Sequence, residues 1–152
     1  MAVLDIPRST EPTERFTQLL RRHKLKVTQP RLRVLEIIAR KEAAISQPEL
    51  ERVLGKTVDR VTLYRVLAVL EEKGILHKIF DLQGTATYAL CSPACDEHEH
   101  HDRHVHFICS ICNSIFCLDE INLPKIQVPT GYQLQHVGIN AVGVCAACAS
   151  AR

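Results

Sequence analysis

The chain has 152 residues, a formal net charge of +2, and seven Cys beside eight His. That length holds one ordinary domain or two small ones that lean on each other or on a second copy. Nowhere do 18 apolar residues follow one another, which excludes a helical membrane span; with no apolar run of signal length in Met1-Ala-Val-Leu-Asp-Ile-Pro-Arg8, a cytoplasmic, soluble protein is expected.

The charge is unevenly placed. Residues 1–90 carry 16 Lys and Arg against 11 Asp and Glu and no Cys, a net of +5. Residues 91–152 carry 3 against 6, a net of −3, and hold all seven Cys and six of the eight His. A division into 1–90 and 91–152 is expected, the basic half contacting a polyanion and the acidic half sensing or assembling.

After an arm over residues 1–12 with Pro7 and Pro12, Phe16, Leu19 and Leu20 give helical spacing from Glu14 to Leu25. Thr28-Gln-Pro30 restarts the chain as a helix, because Thr caps and Pro suits the first turn, and Leu32, Val34, Leu35, Ile37 and Ile38 follow. Ser46 with Glu49 three positions on is a second start signal, with Leu50, Val53 and Leu54 as the expected buried stripe and Gly55 as the stop. Asp59 caps a fourth helix to Lys73 that buries Val61, Leu63, Val66, Leu67 and Leu70 and stops at Gly74. Ile75–Phe80 and Thr85–Leu90 flank Asp81-Leu-Gln-Gly84 and read as a hairpin. Helices followed by a hairpin are the parts of a winged helix-turn-helix. Beyond it, short strands are expected around Phe107–Cys109, Ser114–Phe116 and Tyr132–Val144, so the fold class is α+β, a winged helix-turn-helix followed by a small α/β unit bound to zinc.

Two functional signals stand in this frame. The interval between Arg15 and Leu35 contains six basic residues, Arg21, Arg22, Lys24, Lys26, Arg31 and Arg33, and no acidic one. Phosphate binding needs such a footprint, and a solvated surface face has the same composition. On the helix after Gly55, Arg60, Thr62, Tyr64 and Arg65 lie where a recognition helix shows its base-reading side chains; an ordinary amphipathic surface helix is the plain alternative.

The second signal is metal. Cys109-Ser-Ile-Cys112 and Cys145-Ala-Ala-Cys148 stand 32 residues apart, and two such pairs close a tetrahedral, structural zinc site of four thiolates. A reducing compartment and an odd cysteine total argue against a disulfide framework. His98-x-His100-x-Asp102 superficially resembles the ligands of a binuclear zinc hydrolase, yet a catalytic zinc also needs an open position and a placed general base, so no enzyme and no small-molecule substrate are expected.

Leu25-Lys-Val-Thr-Gln-Pro-Arg-Leu-Arg-Val-Leu35, Val61-Thr-Leu-Tyr-Arg-Val-Leu-Ala-Val-Leu70 and His104-Val-His-Phe-Ile-Cys-Ser-Ile-Cys112 together resemble the ferric uptake regulator family of metal-dependent repressors, from about Phe16 to Cys148. The resemblance implies an N-terminal winged helix, a C-terminal α/β dimerisation domain, and metal-controlled binding of a homodimer to palindromic operator DNA. It matches Tyr64 and Arg65 to the family's major-groove residues and Arg22 to a basic residue that reaches the minor groove. Iron, manganese and peroxide sensors of the family usually take a ligand from a histidine soon after the second helix, and residues 24–76 contain none. Instead, His77 in the first wing strand and Cys91 at the end of the other form a pattern similar to that of the family's zinc uptake regulators, as does the Gly143-Val-Cys-Ala-Ala-Cys148 ending.

That likeness implies a regulatory site of His77, Cys91, His104 and His106, beside the four-cysteine zinc. His104 and His106 alternate on one strand and share a face, and three imidazoles with a thiolate suit zinc. Cys117 stands where relatives often place a carboxylate ligand and is a further or substitute donor. Duller roles are a surface histidine for His77 and buried small hydrophobes for Cys91 and Cys117. The family's long helix after the Cys-x-x-Cys strands is not expected, because Pro124 and Pro129 interrupt Asp119–Pro129 and leave one or two turns at most. Its auxiliary metal site is not expected in the usual form, since Arg103 and Val105 occupy the interleaved positions. Cys95–His101 reads as an insertion between wing and strand, either a solvated loop or a segment that relays or weakly holds metal. The expected function is a zinc-responsive repressor of metal uptake genes; a peroxide-, redox-, iron- or manganese-responsive repressor on the same scaffold is the alternative.

Overall fold

The computed structural model describes residues 11–91, 104–118, 121, 123–135 and 137–151. Cys95–His101, Asp102, Arg103, Asp119, Glu120 and His136 lie outside them.

Helix α1 (Pro12–Arg22) has Pro in its first turn and buries Phe16 and Leu20. It ends three residues before the expected Leu25, because Lys24 turns to φ +58° and the Leu25 amide reaches back to the Leu20 carbonyl at 2.9 Å. A residue in the left-handed region closes a helix in this way. Helix α2 (Gln29–Arg40) buries Leu32, Val34, Leu35 and Ile38. Strand β1 (Ile45–Ser46), two residues long, leads into α3 (Gln47–Leu54), whose N-terminus is capped by Ser46 Oγ accepting from the Glu49 amide at 3.3 Å. Val53, expected in the buried stripe, is exposed, since Leu50 and Leu54 alone face the core.

Helix α4 (Arg60–Glu72) buries Leu63, Val66, Leu67 and Leu70. Val61 is 59% exposed rather than buried. It falls on the stripe with Tyr64, Arg65 and Ala68, one turn apart on the outer face. Asp59 accepts the Thr62 amide at 2.9 Å on Oδ1 and the Thr62 hydroxyl at 2.6 Å on Oδ2, which holds its carboxyl below the usual carboxylate range. A depressed carboxyl stabilises the fold above its ordinary range and loses that effect as pH falls through the lowered value. Asp59→Ala is therefore expected to speed hydrogen exchange in the first turn of α4 at neutral pH and to weaken DNA binding modestly. Unchanged exchange at Thr62 would show that the cap is dispensable.

Strands β2 (Leu76–Phe80) and β3 (Ala86–Leu90) pair antiparallel with β1 outside β3, giving the order β1-β3-β2. The hairpin turn is organised by Asp81 Oδ1, which accepts the amides of Gln83 at 2.9 Å and Thr85 at 2.8 Å, with Gly84 at φ +80°. Helices α3 and α4 with this sheet make a winged helix-turn-helix, its core formed by Phe16, Leu20, Leu35, Leu50, Leu63, Leu67, Leu70 and Leu76.

A second sheet follows in the order β5-β4-β6: β4 (Val105–Cys109) pairs antiparallel with β5 (Ile115–Leu118) and parallel with β6 (Ile139–Gly143). A short helix α5 (Ala146–Ser150) closes the chain. The strand expected over Tyr132–Val144 is confined to β6, with residues 132–135 irregular, and residues 123–129 contain no helical turn. The two sheets touch. Ala44 and Ile79 form an apolar cluster with Ile108 and Ile115, and the Ala44 amide donates to the Ile115 carbonyl at 2.8 Å.

Candidate functional site

The parallel pairing of β4 with β6 sets Cys109 opposite Gly143, and two residues further on Cys145 opens α5. Position 143 is tight: an added Cβ would lie 3.0 Å from the Phe107 ring, which would have to shift by a few tenths of an ångström. The Cys109–Cys112 turn is closed by the Asn113 amide on the Cys109 carbonyl at 2.9 Å, and fastened to β6 by the Ser110 amide on the Gly143 carbonyl at 2.8 Å. The sulfurs of Cys109, Cys112, Cys145 and Cys148 consequently lie within 4.8 Å of one another, Cys112 and Cys145 being 3.9 Å apart. Four sulfurs about 2.3 Å from one zinc stand about 3.8 Å apart in a tetrahedron, so the cluster fits that ion.

The electrostatics agree. The Cys112 amide, then the Cys145 amide at 3.3 Å from the sulfur, hold the Cys109 thiol down to about 6. The Ser114 hydroxyl and amide lower Cys112. Cys148 is pushed up to about 12, chiefly through its hydrogen bond with Cys145 and then by burial. Four thiolates in one place repel; a divalent cation reverses that penalty and favours all four deprotonated.

A second donor cluster spans the two sheets. His77 on β2 is buried by the packing of the wing against the second sheet, His104 is buried just before β4, and His106 pairs directly across from Cys117 on β5. The three imidazole centroids are 4.5–5.3 Å apart, and the Nε2 atoms of His104 and His106 are shut off from solvent. Donor atoms of His77, His104, His106 and Cys117 all lie within 4.8 Å of one another, with His77 Nε2 at 3.3 Å from Cys117 Sγ. A nitrogen and a sulfur bound to one zinc stand about 3.6 Å apart, so this set also fits. Cys91 is placed differently from Cys117. Its sulfur lies 3.5 Å from Nδ1 of His77, the opposite ring nitrogen, because its amide is tied to the Ile75 carbonyl beside β2. Cys117 thus belongs to the compact group and Cys91 flanks it. The register of β4 with β5, which sequence spacing does not reveal, puts Cys117 there.

On the other side of the winged helix, α4 exposes Val61, Tyr64 at 52% and Arg65. Arg60 is exposed but bridges to Glu51 at 3.2 Å, and the Thr62 hydroxyl is committed to the Asp59 cap. Arg22 ends α1 on the surface. An open groove of about 750 Å³ runs between the start of α2 and the outer side of α4, lined by Thr28, Arg31, Thr62, Arg65 and Val69 among others. Arg31 and Arg65 on this groove can contact a phosphate backbone while the exposed helix face reads base edges.

A model described as the ferric uptake regulator family matches residues 22–142. The chain is 32% identical over 145 residues to the ferric uptake regulation protein of Neisseria meningitidis serogroup C, covering 89% of this chain and 95% of that one. It is 33% identical over 91 residues to the zinc uptake regulation protein of Escherichia coli K12, covering 57% of this chain and 50% of that one. The fold is shared with a zinc uptake regulator solved in complex with zinc and DNA, at a TM-score of 0.67 and 23% identity over 94% of this chain and 98% of that one.

Proposed function

Because the chain belongs to the ferric uptake regulator family, and so is a metal-responsive transcription regulator rather than an enzyme, we propose that it is a zinc-responsive repressor of metal uptake genes. The observation that carries this reading is the convergence of His77, from the wing, with His104, His106 and Cys117, from the second sheet. Three imidazoles and a thiolate are a borderline-soft set that suits zinc over oxygen-preferring ions. Cys91 lies against the other ring nitrogen of His77 and so flanks this group instead of completing it. A metal bound there supplies a cross-link that holds the wing and the second sheet in one orientation.

Residues 1–90 then act as the DNA-binding unit and 91–152 as the metal-binding dimerisation unit. Tyr64 and Arg65 read the major groove, Arg60 and Thr62 border that face, and Arg22 reaches the adjoining backbone or minor groove. Val142 is an exposed apolar side chain on β6, an edge strand, and with the exposed Tyr132 and Leu134 earlier in the chain suits a second copy of the chain. Two copies present two α4 helices to a palindromic operator. Iron response is the second reading, favoured by the length of the match to the Neisseria protein. It is opposed by the absence of any histidine between residues 24 and 76 and by the thiolates at the histidine cluster.

The test is a titration of operator binding with zinc, iron(II) and manganese(II) under reducing conditions, alongside Arg65→Ala. Zinc is expected to restore binding at the lowest free concentration. Arg65→Ala is expected to weaken it by roughly 5- to 150-fold, as for a lost base contact of about 1–3 kcal/mol, with zinc content unchanged. A stronger response to iron(II) sinks the zinc assignment, and unchanged affinity removes Arg65 from the reading face.

A further inference from the structure

The four-cysteine turn does more than close on itself. Asn113, the residue after Cys112, adopts φ +59°, a conformation Asn tolerates better than most side chains. From there its amide nitrogen reaches the wing, donating to Gln83 Oε1 at 2.7 Å and Asp81 Oδ2 at 3.3 Å. Asp81 is the residue whose other oxygen accepts the Gln83 and Thr85 amides and so shapes the wing turn. One carboxylate therefore orders the wing with Oδ1 and is held by the cysteine turn through Oδ2. The backbone of Asn113 is fixed in turn by its own amide on the Cys109 carbonyl. The chain of contacts runs unbroken from the thiolate cluster to the wing turn.

We propose that Asn113 is a positioning residue that couples the four-cysteine unit to the wing, so that an intact cysteine turn presents the wing ready for DNA. A turn held in place before binding loses less conformational freedom on association. The metal-laden state of the cysteine unit is then felt by the winged helix through this contact, separately from the histidine cluster.

The test uses the full-length, zinc-loaded protein and three forms of it: Asn113→Gly, which keeps the backbone conformation but removes the amide; Asn113→Asp, which sets a carboxylate against Asp81; and Asn113→Asp combined with Asp81→Asn. In the double variant Asn at 81 still accepts the two turn amides through its oxygen while its nitrogen donates to Asp at 113, restoring the contact with donor and acceptor exchanged. Hydrogen exchange at the Gln83 and Thr85 amides is expected to quicken by about two- to tenfold in Asn113→Gly, the range of one lost hydrogen bond, and by more in Asn113→Asp. It should return toward wild type in the double variant. Operator affinity should follow the same order, with metal content constant throughout.

Equal exchange in all four proteins overturns the coupling. Altered exchange with unaltered operator affinity overturns its role in DNA binding. The affinity arm rests on the DNA-binding reading above and the exchange arm does not, so a wild type that binds no operator condemns that reading, and with it the positioning role, while exchange still decides whether the contact orders the wing.

Discussion

Cys109→Ser is expected to abolish the four-thiolate metal site and, with it, the ordered second sheet. Cys109 is fully buried at the end of β4, its thiol held low chiefly by the Cys112 and Cys145 amides, and its sulfur lies within 4.8 Å of the other three. A serine hydroxyl cannot replace that thiolate. The apolar cluster beneath this sheet, Ile108 and Ile115 with Ala44 and Ile79, is small beside the core of the winged helix. The sheet thus has little to hold it once the ion is gone. A closed zinc site contributes about 10–16 kcal/mol in small zinc-folded units, as much as or more than the roughly 5–15 kcal/mol by which an ordinary domain is stable. The loss is accordingly expected to be all-or-none. Elemental analysis should show one metal fewer per chain, and hydrogen exchange should show β4 and β6 unprotected while α2 and α4 stay protected. Full metal content with protected β4 amides would rule out a closed four-thiolate site.

His77→Ala should leave the protein folded and the four-cysteine site loaded, yet remove the metal dependence of operator binding. His77 is the wing's member of the compact donor group, whereas His104, His106 and Cys117 all come from the second sheet or the residue just before it. Without it the remaining donors can still hold metal weakly, but no bond crosses to the wing. Linkage requires that whatever the metal adds to operator affinity, the operator adds to metal affinity, and couplings of this kind are about 1–3 kcal/mol, or roughly 5- to 150-fold. Operator binding by the variant is expected to stay at the metal-free level at every zinc concentration, and a mild chelator should strip whatever zinc the three remaining donors retain while leaving the four-cysteine metal. A variant that retains the full zinc response would remove His77 from the sensor. The wing already packs on the second sheet through Ile79, so the metal is expected to sharpen an existing contact.

The helices and the hairpin were legible because their start and stop signals are local. Ser46 and Asp59 cap through side chains three residues from the amides they satisfy, and Gly55, Gly74 and Gly84 adopt the positive φ their positions demand. The same local reading erred where partners decide. Val53 and Val61 are apolar and near the periodic stripe, yet the neighbouring elements leave them facing outward. Strand β1 is two residues long and exists because β3 offers it an edge, a pairing that no period in residues 45–46 announces. Residues 132–135 are rich enough in apolar side chains to read as strand, but no strand in the described structure lies beside them to accept their backbone.

By itself the sequence determined the chemistry available: two Cys-x-x-Cys pairs at zinc spacing, histidines that alternate on one strand, a basic half without cysteine, and motifs in the order of one family. Ligand type and close spacing are local properties, so they survive being read along the chain. The tertiary structure alone decided which of those groups meet. The β4–β5 register brought Cys117 opposite His106, the packing of the wing carried His77 to them and left Cys91 on its far side, and the left-handed turn at Asn113 tied the cysteine unit to the wing. These contacts join residues dozens of positions apart, and only strand pairing and burial, which depend on the whole chain, fix such distances.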